Sequence, residues 1–455
     1  MQIMIQTMTS CANIIPPSGG AKDTIPPRLF TALPRDSAKN VNTTKIVLTF
    51  NEYIEVKDVQ QNVIVSPNPK SFPLFDYKLN TVTIKLKDSL EPNTTYSFNF
   101  GNSLKDINEG NIARNFTYVF STGNTIDDNI FSGKVLLAET GKTDSTLIVV
   151  LHKNLNDSAI SKNRPRYFAK VNGKGEFAFK NLPQGVFAAY VVSDFFNKQY
   201  TDSTKLFAFL DSTIAVSKKT SPVIFYAFEE AKAKGKISSS QAPAAARNQK
   251  ADTRLRVTTN LDNGKQDLLN DSLQLSFNRK IKKIDSAKII LTDSNYIISN
   301  TYKLFFDTSK NRVSIINKWK EEKEFRLIIP KDAVTDTTNL SLAKSDTIRF
   351  FTKNESEYGG IHLRFNNLDT SKNPVLLIIQ NDKMVESIPI KQKNIDRNLY
   401  YPGEYDLRIL FDKNKNGIWD SGNFKKKIQP EIVIQVSKKL NVRANFNDTE
   451  TEITL

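Results

Sequence analysis

Side chains along this sequence change character at every second residue. In TKIVLTFNEYI (44–54), Ile46, Leu48 and Phe50 fall on one side of an extended backbone, and Lys45, Val47 and Thr49 fall on the other. NTVTIKLKD (80–88) and TTYSFNFGN (94–102) repeat the pattern. Successive side chains of a strand point to opposite faces, so a period of two marks a sheet with one buried face. Asn, Pro, Asp and Gly interrupt these runs at a spacing of roughly ten residues, the rhythm of a β-sandwich. Helical periodicity is hard to find anywhere. The expected fold class is all-β, built of tandem β-sandwiches.

The chain then repeats itself. IVLTFNEYI (46–54) returns as LQLSFNRKI (273–281), which matches Phe50-Asn51 with Phe277-Asn278. TTYSFNF (94–100) returns as EKEFRLII (322–329), Asp106 corresponds to Asp336, and YVFSTGN (118–124) returns as IRFFTKN (348–354). A different pattern lies between the copies, and it is duplicated too. GVFAAYVVSDFFNKQYTDS (185–203) aligns with GEYDLRILFDKNKNGIWDS (403–421), pairing Gly185 with Gly403, Phe187 with Tyr405, Asp194 with Asp412 and Asp202 with Asp420. The order is therefore A-B-A′-B′.

At 455 residues, with 29 Phe and 14 Tyr, the chain is too long for one core and apolar enough to fill several. The expected divisions are a leader at 1–10, a tether at 11–27, sandwiches at 28–123 and 124–230, a linker at 231–252, and sandwiches at 253–353 and 354–455. The linker AKAKGKISSSQAPAAARNQKAD is small and polar, the composition of a flexible joint. Short connections at 123–130 and 353–360 would make each A–B pair a semi-rigid arm. The net charge is +16 with a pI near 9.5, which permits an anionic partner. The lysines, however, are spread along strand patterns, and clusters such as Lys425-Lys426-Lys427 are short, so solvated sheet faces explain most of the charge. No aromatic-interleaved basic motif of a nucleic-acid module is present, and nucleic acid is not an expected partner.

Cys11 is the sole cysteine, which rules out an intramolecular disulfide. It follows Ile3, Met4, Ile5, Met8 and Thr9-Ser10, and it precedes the Pro/Gly-rich ANIIPPSGGAKDTIPPR. Small residues before a cysteine behind an apolar stretch resemble the lipobox of bacterial lipoproteins, which implies acylation of Cys11 and removal of the leader. The leader has no Lys or Arg and is short for such a signal, so the true start of translation is an open question. Pro16, Pro17, Pro26 and Pro27 would stiffen the tether behind the anchor. No later run is apolar and long enough to span a membrane as a helix.

The A units resemble bacterial Ig-like domains of the S-layer type, from the opening LPRDSAKNV (33–41) through F-N-x-x-I to the terminal F-x-T strand. The B units resemble transthyretin-like or carboxypeptidase-regulatory-like sandwiches through GKGEFAFKNLPQGVFAAYVVSD (173–194). SGGAKDTIPP is similar to the lead-in of Ig-like lipoproteins of the Bacteroidota. These resemblances imply a non-enzymatic outer-membrane lipoprotein. Its role would be that of an accessory subunit of an envelope complex such as β-barrel assembly or secretion machinery, with outer-membrane barrels or other lipoproteins as partners. An acidic export tag after the cysteine is missing before Asp23. The cell-surface leaflet is favoured and the periplasmic leaflet stays open. Asp-Ser/Thr steps such as Asp36-Ser37-Ala38 resemble the O-glycosylation sequon of such proteins, and they are also ordinary turn chemistry. The alternative is a surface adhesin or glycan-binding module, for which Trp419 and Tyr401 are the candidate aromatic platform.

Catalytic chemistry finds few residues to use. His152 and His362 are the two histidines, each in a strand-like run of a separate unit, so a structural or surface role is expected for both and no enzyme is expected. The one sharp motif is DKNKNGIWDSG (412–422). Asp412, Asn414, Asn416 and Asp420 follow the order of a calcium loop, with Gly417 at the turn, but Asn423 stands where a bidentate Glu belongs. Calcium is the only cofactor the chain suggests. The competing reading is an Asn-Gly turn in which Asp and Asn side chains bond local amides.

Overall fold

The computed structural model describes residues 22–230, 254–307, 311–447 and 450–454. Cys11, the leader, most of the tether and the 231–252 linker lie outside the described residues. The described chain divides into two compact units, one formed by residues up to 137 with 142–230 and 423–428, the other by 138–141, 254–422 and 429–454. Each unit holds one A and one B sandwich, and nearly all regular structure is strand. The expected all-β class holds. The few helices are single turns such as Val59–Asn62 and Ala159–Lys162.

In the first unit, the A sandwich opens with a four-stranded sheet in the order Leu29–Leu33, Lys45–Phe50, Thr81–Lys85, Leu74–Lys78. Its second sheet runs Ile64–Ser66, Thr95–Asn99, Thr117–Ser121, and Ile54–Val56 pairs with Leu104–Asp106 at one end. The alternation read from the sequence sets the register. Ile46 faces Ile84 and Leu48 faces Val82 across the strand pair. These four side chains, with Phe50, Phe98 and Phe120, are buried in one core. Burying each large apolar side chain contributes about 1.5–3 kcal/mol, which is what this alternation supplies to folding.

The A′ sandwich of the second unit repeats this plan, with Lys265–Gln266 as an added edge strand. Val257–Thr259, Ser272–Phe277, Arg312–Ile316 and Lys303–Phe306 form one sheet, and Lys265–Gln266, Asp346–Thr352, Glu324–Ile329 and Ile290–Asp293 form the other. Leu273 faces Ile315 and Leu275 faces Val313, reproducing the pairing seen in A. The B sandwiches also share a plan. In B, Asn129–Leu137 lies between Glu176–Leu182 and, in parallel, Val223–Ala227. In B′, Gly359–Asn366 lies between Asn394–Tyr400 and, in parallel, Glu450–Thr454. The facing sheet is centred on Ile148–His152 and Gly185–Val192 in B, and on Pro374–Gln380 and Gly403–Phe411 in B′.

Asp106 and Asp336 occupy the same corner of the two A-type sandwiches, and each is 1% exposed. Asp106 accepts the backbone N–H groups of Glu109, Gly110 and Asn111 at 2.6–2.8 Å. Asp336 accepts those of Thr338 and Leu340 at 2.8 Å, and Arg279 donates to it at 3.0 Å. Burial opposes ionisation of Asp106, but the amides outweigh it and hold the carboxyl below the ordinary carboxylate range. A depressed folded-state pKa gives stability that is present above the ordinary range and lost as pH falls through the depressed value. Asp106→Ala should cost at least about 2 kcal/mol in urea titrations at pH 7, because three amides lose their acceptor. The gap between variant and native protein should narrow as the pH is lowered into the acid range. A constant gap would show that the carboxylate charge is irrelevant.

Candidate functional site

The A–B junction of the first unit is built from two loops that carry little regular structure. After the strand Ile64–Ser66, the A sandwich runs Pro67-Asn68-Pro69-Lys70, and the prolines remove two amide donors. From the B sandwich comes Asn163-Arg164-Pro165-Arg166, leading into Tyr167–Lys170. The two segments lock together. The Asn68 N–H donates to the Arg166 carbonyl at 2.8 Å, and its side-chain amide donates to the Pro165 carbonyl at 3.1 Å. Arg164 donates to the carbonyls of Pro69 and Lys70. Lys170 reaches the Gln61 carbonyl.

Arg166 completes the clasp by holding both oxygens of Glu91 at 2.5 and 2.7 Å, the bidentate geometry that fixes two planes at once. The Glu91 N–H in turn donates to the Tyr96 hydroxyl at 2.8 Å. The guanidinium holds the Glu91 carboxyl below its ordinary range, and the fields of Lys153 and Lys70 act in the same direction. Beside this clasp lies a cleft of about 580 Å³. Its cationic lining is Lys70, Lys87, Lys153, Arg164 and Arg166, against two carboxylates, Asp88 and Glu91. Both carboxylates are engaged, since Asp88 accepts the Ser71 N–H at 2.9 Å. The cleft therefore presents net positive charge.

The second unit joins A′ to B′ by other residues. Tyr358 donates its hydroxyl to Asp267 at 2.7 Å and accepts the Leu268 N–H at 2.9 Å, while Lys265 pairs with Glu357 at 2.8 Å. Asn354 and Glu357 form a capping box that shapes the connection. Sequence reasoning missed both junctions. Arg164 and Arg166 sit about 75–95 residues from their partners, and Arg-Pro-Arg facing Pro-Asn-Pro carries no local signal beyond that of two turns.

The calcium-loop candidates all gather at the end of Gly403–Phe411. Asp412 is buried and accepts the N–H groups of Lys415 at 2.6 Å and Gly417 at 2.7 Å. Asn414 and Asn416 accept the N–H groups of Asn416 and Ile418, and both turn their amide NH₂ groups toward Asp420, at 2.7 and 2.6 Å. Glu431, which the motif did not include, is 3% exposed and accepts the N–H groups of Lys413 and Asp420. In this arrangement donors face Asp420, so a calcium ion fits only if both carboxamides turn over and give up their backbone bonds. In B, Asp194 accepts the N–H groups of Phe196 and Asn197 in the equivalent turn. Trp419 points inward, packs on the cluster of Val375, Leu377, Leu410 and Val433, and donates to the Glu431 carbonyl. Tyr401 is partly exposed. Asp412→Ala should lower stability by about 1–3 kcal/mol, since two partly buried amides lose their acceptor. A chelator should leave the native melting temperature unchanged. A drop on chelation would show that a cation occupies the loop.

The two histidines belong to separate units. His362 lies on the strand Gly359–Asn366 in the second unit, with Nδ1 2.8 Å from Asp396. His152 ends the strand Ile148–His152 in the first unit, 1% exposed, with its ring edge-on to Tyr190 and no partner for Nε2. Burial pushes its pKa down to about 4 from an ordinary 6.5. The unfolded chain therefore binds this proton first, and stability falls as pH drops from 6.5 towards 4, by on the order of 3 kcal/mol in full. His152→Phe should flatten that slope in denaturant titrations between pH 7 and 4.5. An unchanged slope would assign it to other groups.

Residues 23–122 match the family model of a bacterial Ig-like domain. No curated protein matches the chain. Among solved structures, the chain is similar to native alpha-2-macroglobulin from Escherichia coli spanning domains MG0-NIE-MG1, at 11% identity and TM-score 0.21, over 41% of this chain and 72% of that one. It is similar to the Bacillus anthracis TIE protein at 10% identity and TM-score 0.17, over 96% and 75%. It is also similar to BcpA, the major pilin subunit of Bacillus cereus, at 10% identity and TM-score 0.16, over 72% and 98%. None of these three likenesses bears on function.

Proposed function

We propose that this chain is a non-enzymatic scaffold of the bacterial envelope. It would be held at the outer membrane through an acylated Cys11 and would act as an accessory, protein-binding subunit of a larger complex, such as one that assembles or exports outer-membrane proteins. The observation that carries this reading is the pair of built junctions. Arg166 with Glu91 in one unit, and Tyr358 with Asp267 in the other, each fix an A-type sandwich against the following B-type one. A scaffold needs such stiffness, because binding energy is not then lost in ordering the domains. The Ig-like match over 23–122 and the lipobox resemblance of the first residues support the same reading. Among the described residues no group of three or more His, Cys, Asp or Glu is placed to hold a metal, and no helix is long and apolar enough to cross a membrane. Trp419 faces inward and leaves Tyr401 as the exposed ring of the glycan-binding alternative's candidate platform.

The test is membrane fractionation and intact mass of the native protein beside Cys11→Ser, followed by affinity purification in mild detergent. An acyl mass increment lost in the variant, with an outer-membrane protein recovered in fixed ratio, is the expected result. An unacylated, soluble native protein without a partner would end this reading.

A further inference from the structure

The cleft beside the Arg166–Glu91 clasp has unspent charge. Lys70, Lys87 and Lys153 line it, and among the described residues none of the three stands within ion-pair distance of a carboxylate. Of the two acidic side chains of the lining, Glu91 is paired with Arg166, and Asp88 accepts the Ser71 amide and lies in the field of Lys70. Half-buried Leu86 and Leu90 line it beside polar Ser71, Ser89, Asn154 and Asn163, while its Pro67 and Pro73 are buried. Aromatic surface is scarce. The rings of the lining are Tyr96 and His152, both buried, with the Tyr96 hydroxyl bonded to the Glu91 amide. Stacking of sugars or bases, the usual anchor for a glycan or single-stranded nucleic acid, has no platform here.

We infer that this cleft receives an extended acidic segment of a partner protein, whose carboxylates meet Lys70, Lys87 and Lys153 while its apolar side chains lie against Leu86 and Leu90. The inference rests on the scaffold reading and names the chemistry by which that scaffold takes hold of its partner. Three ammonium groups with Leu86 and Leu90 in the same lining select a segment in which acidic and apolar residues alternate, because an extended chain turns alternate side chains to opposite sides. The clasp keeps the two walls of the cleft at a fixed distance, so the site is formed before the segment arrives.

The test uses the full chain and a fluorescein-labelled ten-residue peptide of alternating Asp and Leu, followed by fluorescence anisotropy at low and physiological salt. Lys70→Glu/Lys153→Glu should weaken binding about tenfold or more, and the same peptide with Asn for Asp should not bind. Lys283→Glu/Lys320→Glu, exposed lysines of the second unit, should leave the affinity unchanged. Equal weakening by both pairs, or binding of the Asn peptide, would overturn the site in favour of diffuse charge. Displacement of the peptide by phosphatidylglycerol vesicles, but not by phosphatidylcholine vesicles, would overturn it in favour of lipid. The partner capture described above is run on the same variants. If Lys70→Glu/Lys153→Glu still captures the native partner, the cleft is not the docking site and the scaffold reading stands. If no variant and no native protein captures a partner while the peptide discriminates as expected, the scaffold reading falls and the acidic-segment site remains.

Discussion

A carboxylate that collects backbone amides closes a corner of each of the four sandwiches. Asp106 and Asp336 do this in the two A-type domains, and Asp194 and Asp412 do it in the two B-type domains. Sheets that bury one face leave loop amides at the rim without ladder partners, and an unpaired buried amide costs more than a made hydrogen bond returns. A short acidic side chain answers several such amides at once. The strands on either side then keep the register that turns Ile46, Leu48 and Phe50, or Leu273, Leu275 and Phe277, into the core. The repeat is therefore one of corners as well as strands, which is why Asp106 and Asp336 align even though the loops after them differ.

How much of this was legible follows from the range of each interaction. Strand placement is a local matter of period two, and Lys45–Phe50 and Ser272–Phe277 sit where the alternation put them. The Asp412 turn is also local, and its oxygens lie within a few residues of the amides they serve. Glu431 was missed because it reaches back from beyond a basic run to Lys413 and Asp420. The A–B clasps were illegible for the same reason at larger scale. Glu91 and Arg166 are ordinary surface residues in sequence, and only the fold brings them to 2.5 Å. His152 shows a different limit. Its strand was plain from IVVLHKN, but whether a polar residue on such a strand faces water or a covered outer face depends on what packs there, and the turn at Ala159–Lys162, with Ala159 and Ile160 buried, lies just beyond it in the chain.

The two junctions solve one mechanical problem with unrelated parts. In the first unit the lock is Arg166 on Glu91 with a set of carbonyl bonds around it; in the second it is a tyrosine hydroxyl shared between Asp267 and Leu268. Burial and the Asp267 carboxylate push the Tyr358 hydroxyl above its ordinary range, so the second lock keeps its proton through neutral pH. Repetition of the domains did not carry the joint with it. What the two units have in common is that hydrogen bonds cross from each A-type sandwich to the following B-type one.

The same accounting changes the meaning of the net charge. The formula charge of +16 treats all 48 carboxylates as if they faced solvent. Several do not. Asp106, Asp336, Asp412 and Glu431 are buried against backbone amides, and Glu91 is bound by an arginine. The lysines, with long apolar stems, reach outward instead. Carboxylates near the backbone and ammonium groups at the periphery make the outer shell more basic than composition states, and this asymmetry arises from turn chemistry before any partner is considered. Acids placed at the corners leave the lysines to line the surface, and in the first unit Lys70, Lys87 and Lys153 share the lining of one cleft.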